Sequence, residues 1–177
     1  PRLGQPVHGP LVTLGRRQQG HKHKKGYGTI LADPPWRFMN RTGKMAPEHK
    51  RLSRYGTMKT EEIKLLPVAE IAAPQSHLYL WVPNALILDG LEVMKAWGFV
   101  YKTNWELHKN RIITGYWSRN RHEHLLLGIR EGGKVPAPVQ GDQWESVIEM
   151  TVGKHSAKPE AIHEMIEAYF PNMPKIE

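Results

Sequence analysis

The residues that point most directly to chemistry are Asp33-Pro34-Pro35-Trp36, which follow the apolar run at 27–32. A short β-rich run that stops at such a turn predicts a buried strand with a polar turn at its carboxyl end. The two prolines have fixed φ angles and no N–H, so the turn is stiff and offers carbonyl acceptors. Asp33 adds an acceptor-only carboxylate, and Trp36 adds a flat aromatic surface. Such a site suits a planar ligand that carries an amino group.

The exocyclic amine of adenine or cytosine meets this requirement, although its lone pair is delocalised into the ring. Hydrogen bonds from both N–H groups to the Asp33 carboxylate and the Pro34 carbonyl would favour a pyramidal nitrogen with a localised lone pair. Trp36 would hold the base by stacking or edge contact. A sulfonium methyl group held in line would be the electrophile, so positioning and electrostatics would carry most of the catalysis. The alternative is an ordinary strand-ending turn with Trp36 in the core, and the residues alone leave both open.

The sequence resembles a known family at this turn and at six further motifs. Asp33-Pro34-Pro35-Trp36 is the signature of the MT-A-type adenine-N6 methyltransferases, and the resemblance covers residues 27–177. The further motifs, in the family's order, are Tyr55-Gly-Thr-Met58, Leu78-Tyr-Leu-Trp-Val82, Trp97-Gly98-Phe99, Gly115-Tyr-Trp117, His122-Glu123 and Ser156-Ala-Lys-Pro159.

The resemblance implies transfer of a methyl group from S-adenosylmethionine to the N6 amine of adenine in DNA or RNA. One alternative is a non-catalytic nucleic-acid-binding or partner subunit of a methyltransferase complex. The intact signature argues against it, because such subunits typically lose the catalytic turn. Another alternative, a small-molecule amine methyltransferase, explains Asp33 and Lys158 but not the basic character of the first part of the chain.

The resemblance also implies roles for individual residues. The four signature residues would be catalytic, and Asp33 would also contact the cofactor together with Ser156, Lys158 and Glu177. Lys158 would lie near the cofactor's methionine carboxylate and the transferring methyl group; its alternative is an ordinary lysine at a helix start. Among the residues expected to bind the substrate, the resemblance singles out Tyr55 and Glu123. The others are expected from the basic and aromatic stretches that contain them: Arg37, Lys109, Trp117, Arg119 and Asn120.

The strand predicted to begin at His122 carries titratable side chains on both of its faces. Alternation sends His122 and His124 to one face and Glu123 to the other. The resemblance makes Glu123 a pocket carboxylate that helps hold the adenine; the alternative is an ion pair with Arg119 or Arg121. The two histidines suggest zinc, but the sequence shows no third ligand, so we predict structural histidines and no metal.

The positive charge of the chain is concentrated around the Asp-Pro-Pro-Trp turn. The net charge is +8, but residues 1–64 hold 14 Lys and Arg against four acids, and the remainder is slightly acidic. A nucleic acid is the natural partner, because neutralised phosphates release counterions. Residues 37–54 form a long basic stretch that is a candidate gate or nucleic-acid clamp. A solvated basic tail is the alternative for residues 1–25.

The pattern of apolar runs predicts an α/β domain. With the resemblance, the fold is a Rossmann-like methyltransferase fold: a mixed, mostly parallel sheet with helices on both faces, in the permuted motif order of the β group. We predict a basic flexible arm over 1–26 and the methyltransferase domain over 27–177. The family's C-terminal cofactor-binding continuation after Glu177 is missing from this sequence, which would weaken cofactor binding. The predicted strands are 27–32, 77–82, 99–107, 122–129, 145–151 and one that starts at Lys175.

Helices are predicted from Thr60, over 85–97 and up to Tyr169. Asn84 is expected to cap the second of these helices, and Gly98 is expected to end it. Its core candidates are Leu86, Leu88, Leu91, Val93 and Met94.

Composition narrows the class of protein further. The 177 residues include no cysteine, which excludes a disulfide framework and thiolate chemistry. No apolar run reaches membrane-spanning length, and no secretory signal is visible. We therefore predict a cytoplasmic protein that acts on nucleic acid and not at a membrane. A homo- or heterodimer is an option that no feature of the sequence decides, as is the choice between DNA and RNA.

Overall fold

The computed structural model describes residues 26–37, 56–112, 115, 117–150 and 158–177. Most of the predicted arm and of the basic stretch therefore lies outside the described residues. No helix within these ranges has the length and apolar character needed to cross a membrane. The elements in chain order are β1 (Tyr27–Ala32), α1 (Thr60–Lys64), α2 (Val68–Ile71), β2 (Ala72–Pro83), a 3₁₀ turn (Asn84–Leu86), α3 (Ile87–Ala96), β3 (Phe99–Lys109), β4 (His122–Arg130), β5 (Val147–Met150), α4 (Glu160–Tyr169) and β6 (Lys175–Ile176).

The six strands form one sheet in the order β5-β3-β4-β2-β1-β6. The pairs β1–β2, β1–β6 and β3–β5 are parallel, whereas β4 is antiparallel to both of its neighbours. Five strands therefore run in one direction and only β4 runs against them. This confirms the predicted mixed, mostly parallel sheet. It also brings the first residues of β4 to the edge where the other strands end.

The central strand β2 is covered on both faces of the sheet. Its residues 76–82 are all buried, as expected for a central strand covered on both sides. On one face, Leu78 and Leu80 pack in a core with side chains from α1 and α3. On the other face, Tyr79 and Trp81 pack in a second core with side chains from α4. Helices therefore lie on both faces, as predicted.

The start of α3 differs from the sequence prediction. Asn84 does not cap this helix: it opens the 3₁₀ turn, and the helix begins three residues later at Ile87. The Asn84 side chain is instead drawn to Asn120 and His124, with which it forms hydrogen bonds. Leu88, a predicted core residue, is 72% exposed because the helical period places it on the opposite side of the helix from the buried Gly90 and Met94. Gly98 follows the helix as predicted, with a φ of 78°.

We expect the substitution Gly90→Ala to destabilise the fold. Alanine normally favours a helix over glycine by about 1 kcal/mol. At Gly90, however, a Cβ atom would come within 2.6 Å of Cγ2 of Val82, a buried β-branched side chain with little rotameric freedom. The net effect should be a loss of about 1–3 kcal/mol in the free energy of unfolding, measured by urea denaturation. The double variant G90A/V82A should lose less free energy of unfolding than the two single variants lose in sum. A G90A protein at least as stable as the parent would contradict this packing.

Candidate functional site

Four charged side chains meet where the strands end. Asp33 directly follows β1, Lys109 ends β3, Glu123 is the second residue of β4, and Lys158 precedes α4. The Lys158 Nζ atom lies 3.4 Å from Oδ2 of Asp33 and 3.1 Å from Oε2 of Glu123. Lys109 donates a hydrogen bond to the other carboxylate oxygen, Oε1, of Glu123. We call these four residues the carboxylate–lysine cluster.

Lys158 holds this cluster together because it lies between the two carboxylates. Its Nζ atom also stands 4.5 Å from the centre of the Trp81 ring, a distance typical of a cation–π contact. Pro159 keeps the backbone extended at this point, and α4 then docks on the sheet through Ile162 and Met165, which are fully buried. The position of the lysine is therefore set by the packing of a helix and not by a flexible loop.

The two carboxylates of the cluster have opposite electrostatic environments. Burial raises the pKa of Asp33; the Lys158 cation opposes this shift, and the Glu123 charge adds to it. For Glu123, burial alone would raise the pKa, but Lys158 and Lys109 together outweigh it and hold the pKa below its usual range. Asp33 is also the more open group, with 48% of its side chain exposed against 24% for Glu123. Asp33 is thus the more basic and the more accessible carboxylate.

The turn after Asp33 is fixed by hydrogen bonds as well as by its prolines. The Trp36 backbone N–H donates to the Pro34 carbonyl at 2.8 Å, and the Met58 backbone N–H donates to the Pro35 carbonyl at 2.8 Å. The Trp36 indole Nε1–H donates to the Trp81 carbonyl at 2.9 Å. The Pro34 carbonyl keeps a second lone pair for another donor.

Trp36 itself is a core residue in this structure. Only 5% of its surface is exposed, and it packs in the core that α1 and α3 cover. The sequence analysis offered two roles for this ring, an open stacking surface and a core side chain, and the structure places it in the second. The physical reason is that the buried indole finds its hydrogen-bond acceptor on β2.

The other predicted site residues differ in their surroundings. Arg37 donates to the side chain and the carbonyl of Thr57, so it braces the segment that pairs with the turn. Trp117 is 96% exposed and Arg119 is also exposed, so both are open to a large ligand. Glu177 follows β6 with its carboxylate 3.0 Å from Nε2 of His163. Tyr55 and Ser156 lie outside the described residues.

Glu123 and Asn120 have partners that the sequence analysis did not identify. Glu123 pairs with two lysines instead of the arginines considered as its alternative partners. Asn120, predicted to bind substrate, accepts a hydrogen bond from Asn84 at 3.0 Å, and Asn84 in turn lies 2.9 Å from Nε2 of His124. These side chains line the face of β4 opposite Glu123.

A carboxylate lies beside the two histidines of β4. Nδ1 of His124 lies 2.7 Å from Oε1 of Glu106, and Nε2 of His122 lies 3.6 Å from Oε2 of the same carboxylate. The sequence analysis missed Glu106 because it belongs to β3, where the register pairs it with His124. The only local sign of it in the sequence was an acidic residue between two apolar residues of the predicted strand.

The chain is similar in sequence to known methyltransferases. The family model described as MT-A70 matches residues 27–177. The chain is 27% identical to the Type II methyltransferase M.MunI of Mycoplasma sp, over 87% of this chain and 72% of that protein. It is 30% identical to the N(6)-adenosine-methyltransferase MT-A70-like of Arabidopsis thaliana and 31% identical to the N(6)-adenosine-methyltransferase catalytic subunit METTL3 of Homo sapiens, over 85% of this chain in each case. It spans only 21% and 25% of those two proteins.

The raised pKa of Asp33 is open to direct measurement. We expect a ¹³C NMR titration of its side-chain carboxyl to give a pKa above the ordinary aspartate range. The variant Lys158→Met should move it still higher, because it removes the cation that favours the ionised form. Lys64→Met is the matched control, since Lys64 also bridges two carboxylates, Glu61 and Glu92, but on α1 and α3. It should leave the Asp33 titration unchanged; an Asp33 pKa at or below the ordinary range would contradict the electrostatics described here.

Proposed function

Because this chain belongs to the MT-A70 family, we propose that the carboxylate–lysine cluster is the active site of an adenine-N6 methyltransferase acting on nucleic acid, with S-adenosylmethionine as the methyl donor. The observation that carries this proposal is the open, basic Asp33 carboxylate beside a rigid Pro34 carbonyl at the carboxyl edge of the sheet. In open α/β sheets this edge is where ligands bind. The intact signature and the methyltransferase names of the relatives disfavour a non-catalytic subunit.

The side chains at this edge fit the proposed cofactor. The carboxylates of Asp33 and Glu177 are about half exposed, at 48% and 49%, and Lys158 adds a cation between the acidic groups. S-adenosylmethionine carries a sulfonium, an ammonium and ribose hydroxyl groups, which complement carboxylates, and a carboxylate, which complements a lysine. We propose that Asp33, Lys158 and Glu177 hold it, together with Ser156. When bound, the cofactor supplies an electrophilic methyl group.

The opposite pKa shifts suggest a division of labour between the two carboxylates. Groups whose environments push their pKa values apart commonly have different acid–base roles. Asp33, the more basic, accepts a hydrogen bond from the N6 amine and takes up the proton that the amine loses on methylation. The second lone pair of the Pro34 carbonyl accepts from the other N–H. Glu123, held ionised by two lysines, keeps its charge and positions the adenine ring.

The acceptor in this proposal is an adenine within DNA or RNA. A base within a duplex cannot bring its amine to a carboxylate between the strand ends, so the base must leave its stack. Trp117 and Arg119, which are exposed beside β4, offer an aromatic surface and a cation to the flanking nucleotides. The proposal also assigns substrate binding to Lys109, Arg37 and Tyr55. A homo- or heterodimer and a cytoplasmic location stay predictions.

The proposed chemistry is tested by Asp33→Asn. We expect this variant to fold but to lose about 10²–10³-fold or more in the rate of methyl transfer, because an amide cannot accept the proton. The assay is transfer of labelled methyl from S-adenosylmethionine to adenine-bearing DNA and RNA, with nucleoside mass spectrometry to identify the product. Asp142→Asn, in the exposed connection between β4 and β5, is the matched control and should keep the parental rate. Parental turnover by D33N would refute the assigned role.

A second test separates the positioning role of Trp36 from its contribution to stability. Trp36 and Trp97 are both buried, and each donates its indole N–H to a backbone carbonyl, of Trp81 and Ile63 respectively. Replacing either by phenylalanine removes a buried hydrogen bond and part of a packed ring, and should cost on the order of 1–3 kcal/mol of unfolding free energy. Only Trp36→Phe should also lower the single-turnover rate, because only Trp36 fixes the catalytic turn. Equal losses of rate in W36F and W97F would count against a positioning role for Trp36.

A further inference from the structure

We propose that Glu106, His122 and His124 form a binding site for a divalent transition metal, with Zn²⁺ as the ion that their chemistry favours. One potential ligand atom from each of the three side chains lies within 4.8 Å of the others. The three residues come from the adjacent strands β3 and β4, and Glu106 is the direct register partner of His124. This site lies on the opposite face of β4 from Glu123, so it is separate from the carboxylate–lysine cluster.

The donor set suits Zn²⁺, and so does the distance between His122 and the outer oxygen of Glu106. Two imidazoles and one carboxylate are a common set of protein ligands for zinc, with water in the fourth position. Two ligand atoms at tetrahedral positions, each about 2.0–2.2 Å from the metal, stand about 3.3–3.6 Å apart. The atoms His122 Nε2 and Glu106 Oε2 are 3.6 Å apart, which is too long for a hydrogen bond but suits an ion shared between them.

An unsatisfied polar atom points to the same place. Oε2 of Glu106 is buried and has no hydrogen-bond partner within the described part of the chain. Buried carboxylate oxygens are ordinarily paired, so an orphaned one calls for an explanation. A cation bound by this oxygen and by His122 would satisfy it.

The surroundings of His124 resemble the outer shell of a metal site. Its Nε2 atom faces Oδ1 of Asn84 at 2.9 Å, and its Nδ1 atom faces Oε1 of Glu106 at 2.7 Å. Both ring nitrogens thus face oxygen acceptors, an arrangement that a neutral imidazole with one N–H does not satisfy but that a metal-bound or a doubly protonated ring does. A metal at Nδ1 would resolve this conflict, since the Nε2–H would keep its bond to Asn84 and fix the ring, as partners of metal-bound histidines do. Asn104 orients the carboxylate by donating to Oε1 of Glu106 at 2.9 Å.

Binding at this site would have a structural consequence for the active edge. Asn84 also donates to Asn120, so the site connects β3, β4 and the segment that carries Trp117 and Arg119. A bound ion would therefore hold in place the strand that presents Glu123. This role is independent of the proposed methyl transfer, so the two proposals fail separately.

The test is calorimetric titration of the full chain with Zn²⁺ alone. His21 and His23 of the basic arm are replaced by alanine in every sample, so that they do not compete. We expect one saturable site that is weakened about 10–100-fold or more by His122→Asn and by Glu106→Gln. His163→Asn is the matched control, because His163 is as exposed as His122 (37% of each side chain) and forms the same kind of pair, with Glu177 at 3.0 Å, but on α4 at the other face of the sheet. It should leave the affinity unchanged.

Two further measurements keep the result interpretable. Zn²⁺ should raise the Tm of the parent and of H163N but not that of H122N, since only binding to the folded state stabilises it. Co²⁺ should give visible ligand-field bands in the parent that H122N lacks, without thiolate absorption because the chain has no cysteine. Circular dichroism checks that each variant folds. Because His122 is partly exposed, we expect H122N to fold even if E106Q does not, and H122N then decides the outcome. The absence of saturable binding by the parent, or equal affinity in H122N and the parent, overturns the proposal.

Discussion

Two carboxylates at one edge of a sheet repel each other unless a cation lies between them, and Lys158 is that cation. It contacts both Asp33 and Glu123 and rests on the Trp81 ring. Burial still leaves the pKa of Asp33 above its usual range, whereas Lys158 and Lys109 together hold the pKa of Glu123 below its usual range. The chemistry proposed for the site depends on this difference in pKa between the two carboxylates, and the difference depends on where α4 places Lys158.

The reversed direction of β4 gives the sheet two functional surfaces. Because β4 runs against its neighbours, its first residues reach the edge where β1 and β3 end. Alternation then places Glu123 in the carboxylate–lysine cluster and the flanking histidines beside Glu106. A single short run of polar residues thus takes part in the proposed active site and in the proposed metal site. A shift of one residue in register would exchange the two faces.

The stiffness of the Asp-Pro-Pro-Trp turn comes from tertiary contacts as much as from proline. Prolines fix φ at two positions, but they do not decide where the turn points. Its direction is set by the buried Trp36 indole, which is tied to β2, and by the pairing of the turn with Met58. Carbonyls held in this way accept a donor without having to reorganise, which is the property that electrostatic catalysis needs.

By itself the sequence determined the features that follow from local rules. The apolar run of β2, the strand that stops at Asp33, the alternation around Glu123 and the helix stop at Gly98 were all predictable, because side-chain period and allowed φ angles are properties of short segments. The fold class and the family were predictable as well, since the motifs occur in a diagnostic order. Only the tertiary structure decided that Trp36 is buried, that Asn84 bonds across to β4, and that Lys109 and Glu106 stand beside the residues of β4. These partners are far apart in the chain, and their meeting depends on strand register and helix docking, which local preferences leave undetermined.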